Sequence, residues 1–318
     1  MKVGEVVTIV GSLARDGSKV VRPRDGGAYG YDALRQLTRP RLAVEADEMV
    51  DHNSRVTFRS VVKDLVPPLL VRMLRPSVPD QFQYHQFSAP YPSWAAASTA
   101  AEGYGAPQIL AKVRDAALKV KRGESAYEQD SILSSVPSYK WEMLACLMSA
   151  MASSSRRPAH VIDFGGSLGS LYYRHRPFIG ETMWSIVEQA TFVDCGNREF
   201  ADKRLKFYPS LTLALERGPA DVILCAGVLQ IIEQPFELLR AAAKARIPFL
   251  LIDRLPLYDV PADAIVVLTA KETVYKADLP YHQFAKDHFD RQLTGTGWEI
   301  MLRYEHDRRF GLFCRLLA

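Results

Sequence analysis

Apolar and polar residues follow two rhythms along this chain, and the change between them falls near Pro158. After that point, short apolar runs alternate with stretches of helical periodicity such as 235–245. Runs this apolar are typical of strands buried on both faces of a parallel sheet, with helices covering each face. The pattern predicts five strands, over residues 160–164, 184–188, 205–208, 221–226 and 248–253.

The last part of the sequence has a different pattern. Segments 298–305 and 310–317 alternate apolar with polar residues and are joined by the polar turn 306–309, which predicts an antiparallel hairpin. Five parallel strands closed by a hairpin form the sheet of class I methyltransferases, a Rossmann-like α/β fold. A dinucleotide dehydrogenase would more usually continue with further strand–helix units.

Upstream of Pro158 the periodicity is helical. Ser93 is a good N-cap, and Gly103 and Gly123 are placed where helices end. Predicted helices cover residues 94–101, 106–121 and 139–153, and together they indicate an N-terminal helical lobe.

The first part of the chain has little sustained periodicity. Residues 1–60 mix glycine, arginine and aspartate and predict a weakly structured arm. The apolar run 61–74 is broken by Pro67 and Pro68, which predicts two short helical turns and at most a peripheral contact with a membrane. The expected organisation is an arm (1–60), a helical lobe (61–155) and a catalytic domain (156–318).

Composition excludes several classes of protein. The net charge of +4 arises from residues 1–76, which hold 13 Lys and Arg against 9 Asp and Glu, so no basic face for nucleic acid accompanies the α/β region. The four cysteines form no C-x-x-C pair, which favours reduced thiols in a cytoplasmic protein and indicates no zinc site. No apolar run approaches the roughly 20 residues that cross a bilayer.

One segment has the form of a nucleotide-binding turn. Residues 163–169, Asp-Phe-Gly-Gly-Ser-Leu-Gly, follow the first parallel strand and precede a helix, whose first N–H groups are free to bind a ligand. The dinucleotide pattern G-x-G-x-x-G fails because, from Gly165, it requires glycine at Ser167 and Ser170. The methyltransferase pattern, acid-x-G-x-G-x-G, fits except that Ser167 replaces the middle glycine. A plain strand-to-helix turn is the alternative.

A second acid supports a nucleoside ligand. Glu188 ends the second strand, where a carboxylate accepts hydrogen bonds from both ribose hydroxyls. Tyr208 follows the third strand, where an adenine ring would stack, and Gly227 follows the fourth. Gln230 is either a cofactor contact or a loop-capping amide. The expected cofactor contacts are Asp163, Gly165, Gly166, Ser167, Gly169, Glu188, Gln189, Tyr208, Gly227 and Gln230.

Longer motifs resemble a specific family. The runs DFGGSLGSLYY, WSIVEQ with FVDCG, LKFYPS, DVILCAGVLQIIEQPFELL and IDRLPL are similar to methyltransferases found with bacterial lipopolysaccharide and O-antigen genes. The resemblance covers roughly residues 63–318 and implies transfer of a methyl group from S-adenosylmethionine to a sugar or surface-polysaccharide intermediate. Gln129 departs from the pattern, in which a basic residue is expected between Glu128 and Asp130.

Methyl transfer to a hydroxyl needs positioning and usually a general base. Asp253 is the first candidate because it ends an apolar strand at the expected ligand edge, with a structural pair to Arg254 as the alternative. His282 is the natural base at neutral pH, although a histidine at a helix start is more often solvated.

The methyl acceptor is expected to be a small molecule or a glycan. Candidate acceptor contacts are Tyr127, Asp130, Arg254 and Tyr275. For 127–130 the alternative is a helix N-cap with exposed acids. Two other functions stay open: an NAD-linked sugar-modifying enzyme, and a non-catalytic protein that senses S-adenosylmethionine or acts as a scaffold.

Overall fold

The computed structural model describes residues 85–101, 103, 107–270, 277–306 and 308–317. They belong to the second of two compact units in the chain, Pro79–Ala318. The predicted arm, the proline-interrupted turns at 61–74 and Tyr275 lie outside the described residues. Within the described part of the chain, no helix has the length and apolar character that a membrane span requires.

Strands and helices are numbered here in chain order. The strands are β1 (His85–Phe87), β2 (Tyr127–Gln129), β3 (Ile132–Ser134), β4 (His160–Phe164), β5 (Met183–Val187), β6 (Leu205–Tyr208), β7 (Val222–Ala226), β8 (Phe249–Leu255), β9 (Leu257–Tyr258), β10 (Ala264–Ala270), β11 (Ala277–Ala285), β12 (Trp298–His306) and β13 (Arg309–Leu316). The helices are α1 (Trp94–Thr99), α2 (Pro107–Lys121), α3 (Trp141–Ser153), α4 (Ser170–Ile179), α5 (Ala190–Glu199), α6 (Leu211–Leu215), α7 (Pro235–Lys244) and α8 (Lys286–Gly295).

Seven strands form the central sheet in the order β12-β13-β8-β7-β4-β5-β6. Strands β4 to β8 are parallel, whereas β13 runs antiparallel to both β8 and β12. If the seven strands are renumbered 1 to 7 in chain order from β4 to β13, without β9 to β11, the order read from β6 is 3-2-1-4-5-7-6. The last strand, β13, is therefore inserted between the fifth strand, β8, and the sixth, β12. This arrangement confirms the predicted Rossmann-like class I methyltransferase fold.

Alternate residues of the parallel strands face two helical layers, because successive side chains of a strand point to opposite faces. On one face Val161 and Leu251 share a core with Met143 of α3 and other residues of α4 and α5. On the other face Ile162 and Ile252 pack with residues of α7 and α8. Both faces of the sheet are thus covered, which explains why most residues of the parallel strands are apolar.

The predicted helices of the lobe are present with small shifts at their ends. Helix α1 begins after Ser93, whose Oγ accepts a hydrogen bond of 3.2 Å from the Ala96 N–H. Gly123 takes a φ of +78° two residues after α2 ends, a conformation that suits glycine. The prediction that this lobe is helical is incomplete, because β1 and the β2–β3 hairpin also lie within it.

A second sheet was not foreseen from the sequence. Its strands run in the order β1-β10-β11-β9, and β1 pairs antiparallel with β10, with His85 opposite Ala270. It is built from residues on both sides of the predicted boundary at 155. The long segment between the fifth parallel strand and the final hairpin therefore contributes three strands of this second sheet, β9, β10 and β11, before helix α8.

Two helical glycines provide a matched test of how closely α5 packs on the sheet. A Cβ built on Gly196 would lie 2.4 Å from Cδ1 of Phe207, whereas one built on Gly295 meets no atom within 4 Å. We expect Gly196→Ala to lower the free energy of unfolding by about 1–3 kcal/mol through overpacking. We expect Gly295→Ala to raise it by about 0.5–1 kcal/mol, since alanine favours helix. Urea denaturation measures both.

A smaller side chain at position 207 should relieve the steric clash in the Gly196→Ala variant. The double variant Gly196→Ala/Phe207→Leu recovers part of the lost stability if the ring contact is the cause. Equal effects of the two single alanine substitutions would contradict the close packing of α5 on β6.

Candidate active site

The turn after β4 adopts a strained path. Gly165, Ser167 and Gly169 have φ values of +72°, +54° and +96°. These φ values lie in the left-handed region, which favours glycine. Ser167 replaces the middle glycine of the methyltransferase pattern and adopts the backbone conformation that a glycine would have there. A non-glycine residue held there costs on the order of 1–3 kcal/mol and is typical of functional sites. The serine at position 167, which departs from the methyltransferase pattern, thus leaves the path of the turn unchanged.

The glycines are required because the turn passes very close to its neighbours. A Cβ on Gly165 would lie 2.4 Å from Cγ2 of Val228, and one on Gly166 would lie 2.6 Å from Oδ2 of Asp163. Neither distance leaves room for a methyl group. The Gly165 N–H donates to the Val187 carbonyl at 2.9 Å, which ties the turn to the next strand.

Asp163 is buried directly beneath this turn, with 1% of its surface exposed. The Trp184 indole N–H donates to Oδ2 at 3.1 Å, and Oδ1 has no hydrogen-bond partner among the described residues. Burial raises the pKa of Asp163 to about 7, and the Trp184 hydrogen bond offsets part of that rise. A buried acceptor oxygen without a partner is uncommon and marks a place where a donor is expected.

Glu188 lies beside the same turn at the end of β5. Its carboxylate accepts the Gln189 N–H at 2.8 Å, and it also accepts the N–H of Ser167. Burial raises the pKa of Glu188, while these two backbone hydrogen bonds lower it. The Glu188 N–H donates to the Tyr208 carbonyl at 3.0 Å, which brings the ends of β5 and β6 together. Gln189 is exposed and Tyr208 is half-buried.

The end of β7 completes the edge. Gly227 has a φ of +72°, and its N–H donates to the Asp253 carbonyl at 2.8 Å. The Gln230 amide donates to the Gly227 carbonyl at 2.9 Å, as the loop-capping alternative predicts. Its Oε1 is a second buried oxygen that lacks a partner within the described part of the chain.

Asp253 is held on both of its oxygens. The Lys140 ammonium lies 3.1 Å from Oδ2, and the Tyr304 hydroxyl donates to Oδ1 at 3.0 Å. The ring of Tyr304 lies over Gly311, where an added Cβ would come within 1.9 Å of Cζ. The structure therefore places Asp253 in a buried ion pair, and its predicted catalytic role stays a prediction.

His282 lies on strand β11, so the expected position at a helix start was wrong. Its Nε2 lies 3.1 Å from the Ile232 carbonyl and 3.3 Å from that of Glu233, and its ring stacks on those of Trp94 and Phe284. Burial lowers the pKa of His282. These contacts connect the second sheet to the loop after β7, and a catalytic role for this residue also stays a prediction.

Residues 127–134 form a hairpin, not the helix N-cap that was the alternative for 127–130. Its two-residue turn is Asp130-Ser131, with φ values of +52° and +66°. Asp130 reaches Arg254, with 3.5 Å between Oδ2 and Nη1. Glu128 is buried and accepts from the Ser170 hydroxyl at the start of α4 and from the Ser131 N–H at 3.1 Å. Burial raises the pKa of Glu128.

The hairpin also contacts Arg174 on α4. The guanidinium lies 4.0 Å from the centre of the Tyr127 ring and donates to Oε1 of Gln129 at 3.3 Å. A basic residue at position 129 would face this arginine, so glutamine suits the position in this chain. The hairpin thus joins α4, which follows the first parallel strand, to Arg254, near the end of the fifth.

Two charged side chains of this region were not singled out from the sequence: Lys140 and Arg174. Lys140 lies at the start of the helix predicted over 139–153 and Arg174 lies within the helix that follows the glycine turn, and on a helix a charge usually indicates a solvated face. Only the contacts made by the folded chain reveal them. Among the described residues, no group of His, Cys, Asp and Glu has the arrangement of a metal site.

The chain has measurable likeness to solved structures. A pericyclic reaction enzyme matches with 14% identity and a TM-score of 0.40 over 54% of this chain and 46% of its own, so the match spans about half of that enzyme. A glycopeptide N-methyltransferase complexed with S-adenosylmethionine matches with 10% identity and a TM-score of 0.41, over 55% of this chain and 94% of its own. Human N-acetylserotonin methyltransferase, also with S-adenosylmethionine, matches with 12% identity and a TM-score of 0.39, over 64% and 67%.

No family model and no curated protein matches the sequence. At this level of identity and TM-score, the strand order of the chain itself is what establishes its fold.

The pKa of Asp163 has a measurable consequence for stability. An aspartate titrates near 3.9 in an unfolded chain and Asp163 at about 7 in the folded one, so the folded state holds this proton more tightly. Asp163 therefore lowers stability progressively as pH rises from about 4 to about 7. We expect Asp163→Asn to gain stability relative to the unsubstituted protein between pH 5 and 7.5, on the order of 3 kcal/mol.

Urea denaturation at several pH values measures this gain. Asp194→Asn, which changes an exposed aspartate on α5, is the control and should show no such trend. A stability difference for Asp163→Asn that does not change with pH would rule out a raised pKa.

Proposed function

We propose that this protein is an S-adenosylmethionine-dependent methyltransferase. The observation that carries the proposal is the Glu188 carboxylate, which lies at the end of the second parallel strand and accepts the Ser167 N–H of the glycine turn. In Rossmann-like folds an acid at this place accepts the ribose hydroxyls of a nucleoside. The strand order with its inserted antiparallel β13 favours S-adenosylmethionine over a dinucleotide.

The residues present fit this cofactor. Two buried oxygens, Asp163 Oδ1 and Gln230 Oε1, lack partners among the described residues and lie at the ends of neighbouring strands. Both accept hydrogen bonds, and the amino group of the cofactor is a donor. Ser167, Gly169 and Gln189 would line the nucleoside end, with Tyr208 beside the base. Gly165, Gly166 and Gly227 keep the backbone free of side chains there.

When bound, the cofactor supplies a methyl group on positively charged sulfur. The acceptor hydroxyl would take this methyl group, and a base or water would take the hydroxyl proton. The chain contributes chiefly by aligning the reactants, which accounts for much of the catalysis in such a displacement. Asp253 orients Lys140 and Tyr304 at this edge and acts as a positioning residue.

The acceptor we propose is a sugar or a surface-polysaccharide intermediate, methylated in the cytoplasm. The resemblance to enzymes of polysaccharide gene clusters supports this choice. The hairpin also supports it, because an aromatic ring (Tyr127), a carboxylate (Asp130) and a guanidinium (Arg254) are the groups that commonly bind sugars by stacking and hydrogen bonds. Tyr275 remains a candidate contact outside the described residues.

A second candidate is a protein that binds S-adenosylmethionine without turnover. It is favoured by the contacts of the two candidate bases, since both oxygens of Asp253 are engaged and Nε2 of His282 lies against two backbone carbonyls. An NAD-linked enzyme is disfavoured by the failed dinucleotide pattern.

Calorimetry distinguishes these functions. We expect the protein to bind S-adenosylmethionine and S-adenosylhomocysteine but not NAD. Glu188→Ala should weaken the binding of S-adenosylmethionine about ten- to a hundredfold, because hydrogen bonds to a charged group are lost. Glu216→Ala, at an exposed acid after α6, is the matched control and should leave the affinity unchanged.

Binding of NAD in place of S-adenosylmethionine would refute the proposal. Binding of S-adenosylmethionine with no methyl transfer to a panel of nucleotide sugars and oligosaccharides would favour the second candidate.

A further inference from the structure

Three cations meet where the hairpin crosses the carboxyl edge of the sheet. We call Lys140, Arg174 and Arg254 the cation cluster. The hairpin residues Asp130 and Gln129 contact Arg254 and Arg174. Arg174 also contacts Ser138, two residues before Lys140, so the three cations lie near one another. Burial lowers the pKa of Lys140 most, the Asp253 carboxylate raises it in part, and the positive charges of Arg254 and Arg174 lower it further. Like charges gathered in a half-buried place repel, so such a cluster is stable only with compensating anions.

Arg254 is held in an unusual conformation. Its φ is +57°, in the left-handed region that a side chain such as arginine rarely adopts. Its Nη2 donates to the Ala226 carbonyl at 2.8 Å, and the guanidinium lies against Gly227, where an added Cβ would come within 3.2 Å of Cζ. A strained backbone at Arg254 and the absence of a side chain at Gly227 thus together allow the guanidinium to lie at the end of β7. Strain of this kind is concentrated at ligand sites.

Arg174 is nearly buried, with 8% of its surface exposed, yet it makes no ion pair among the described residues. Its Nε donates to the Ser138 carbonyl at 2.6 Å, one Nη to the Ser138 hydroxyl at 3.2 Å and the other to Gln129. All three acceptors are neutral oxygens. A buried charge normally has an ionic partner, because desolvation disfavours it strongly.

The neighbouring carboxylates offset the cluster only in part. Asp253 is shared between Lys140 and Tyr304, and Asp130 lies 3.5 Å from Arg254 with 42% of its side chain exposed. Glu128 is close, but its hydrogen bonds go to Ser170 and Ser131. Burial also raises the pKa of Glu128.

We propose that Lys140, Arg174 and Arg254 bind a carboxylate or phosphate group of the methyl acceptor. The acceptor is then an anionic sugar, either a uronic acid or a sugar carried on a phosphate, and its charged group lies beside the end of β7. Guanidinium groups suit this role because their fork of N–H donors matches both anions. The inference rests on the proposed function for the identity of the site, but the anion site itself is testable without turnover.

The test titrates protein loaded with S-adenosylhomocysteine with inorganic phosphate, D-glucuronate and D-glucose in a calorimeter. We expect phosphate and D-glucuronate to bind and D-glucose to bind at least about tenfold more weakly. Arg254→Met and Lys140→Met should each weaken binding of the two anions about tenfold or more, and should weaken binding of D-glucose much less. Arg254→Lys retains the charge and should restore part of the affinity.

Arg240→Met is the matched control, because Arg240 lies on the exposed face of α7 and pairs with Glu237. It should leave anion binding unchanged. Thermal unfolding checks that each variant is folded. If a cluster variant fails to fold, a competition titration of the unsubstituted protein tests the inference instead. Phosphate should compete with D-glucuronate for binding and should not compete with S-adenosylhomocysteine.

The outcomes separate the two proposals. Failure to bind S-adenosylhomocysteine refutes the proposed function, and titration of the unloaded protein still tests the anion site. Equal binding of D-glucuronate and D-glucose, or no phosphate binding, overturns the inference. Displacement of phosphate by S-adenosylhomocysteine, or loss of cofactor affinity in the cluster variants, would assign the cations to the carboxylate of the cofactor and overturn it as well.

Discussion

The chain after β4 turns in so little space that two successive residues have no room for a side chain. Gly165 touches Val228 and Gly166 covers Asp163, so the turn can follow only one path between the ends of three strands. That path buries the Asp163 carboxylate and directs the Ser167 N–H at Glu188. The end of β7 and the start of α4, which contribute the other residues of the site, are positioned relative to this turn.

A hydrogen bond and an ion pair connect the hairpin to the rest of the site. Glu128 contacts Ser170, which follows the first parallel strand, and Asp130 contacts Arg254, near the end of the fifth. Because β7 lies between those strands, the hairpin crosses the carboxyl edge at its centre. Groups from distant parts of the sequence therefore surround one place, where charged and polar side chains lie at the edge of an apolar sheet.

Local pattern was enough for the strands of the main sheet, since each is an apolar run or an alternating segment whose period alone indicates its type. It was not enough for the second sheet, because the pairing of His85 with Ala270 joins residues far apart in the sequence. The β2–β3 hairpin was missed because its turn, Asp130-Ser131, contains no glycine. Asp163 and Glu188 could be found by spacing, whereas Lys140 and Arg174 acquire meaning only through contacts.

Strand β13 is the last of the described strands to be synthesised, yet it lies inside the sheet between β8 and β12. A nascent chain that has reached residue 306 therefore presents the whole edge of β8, an apolar strand with unpaired N–H and carbonyl groups. Such edges recruit other chains. A chain that lacks residues 309–316 would therefore expose this edge and be prone to aggregate, so the folding of the sheet depends on β13.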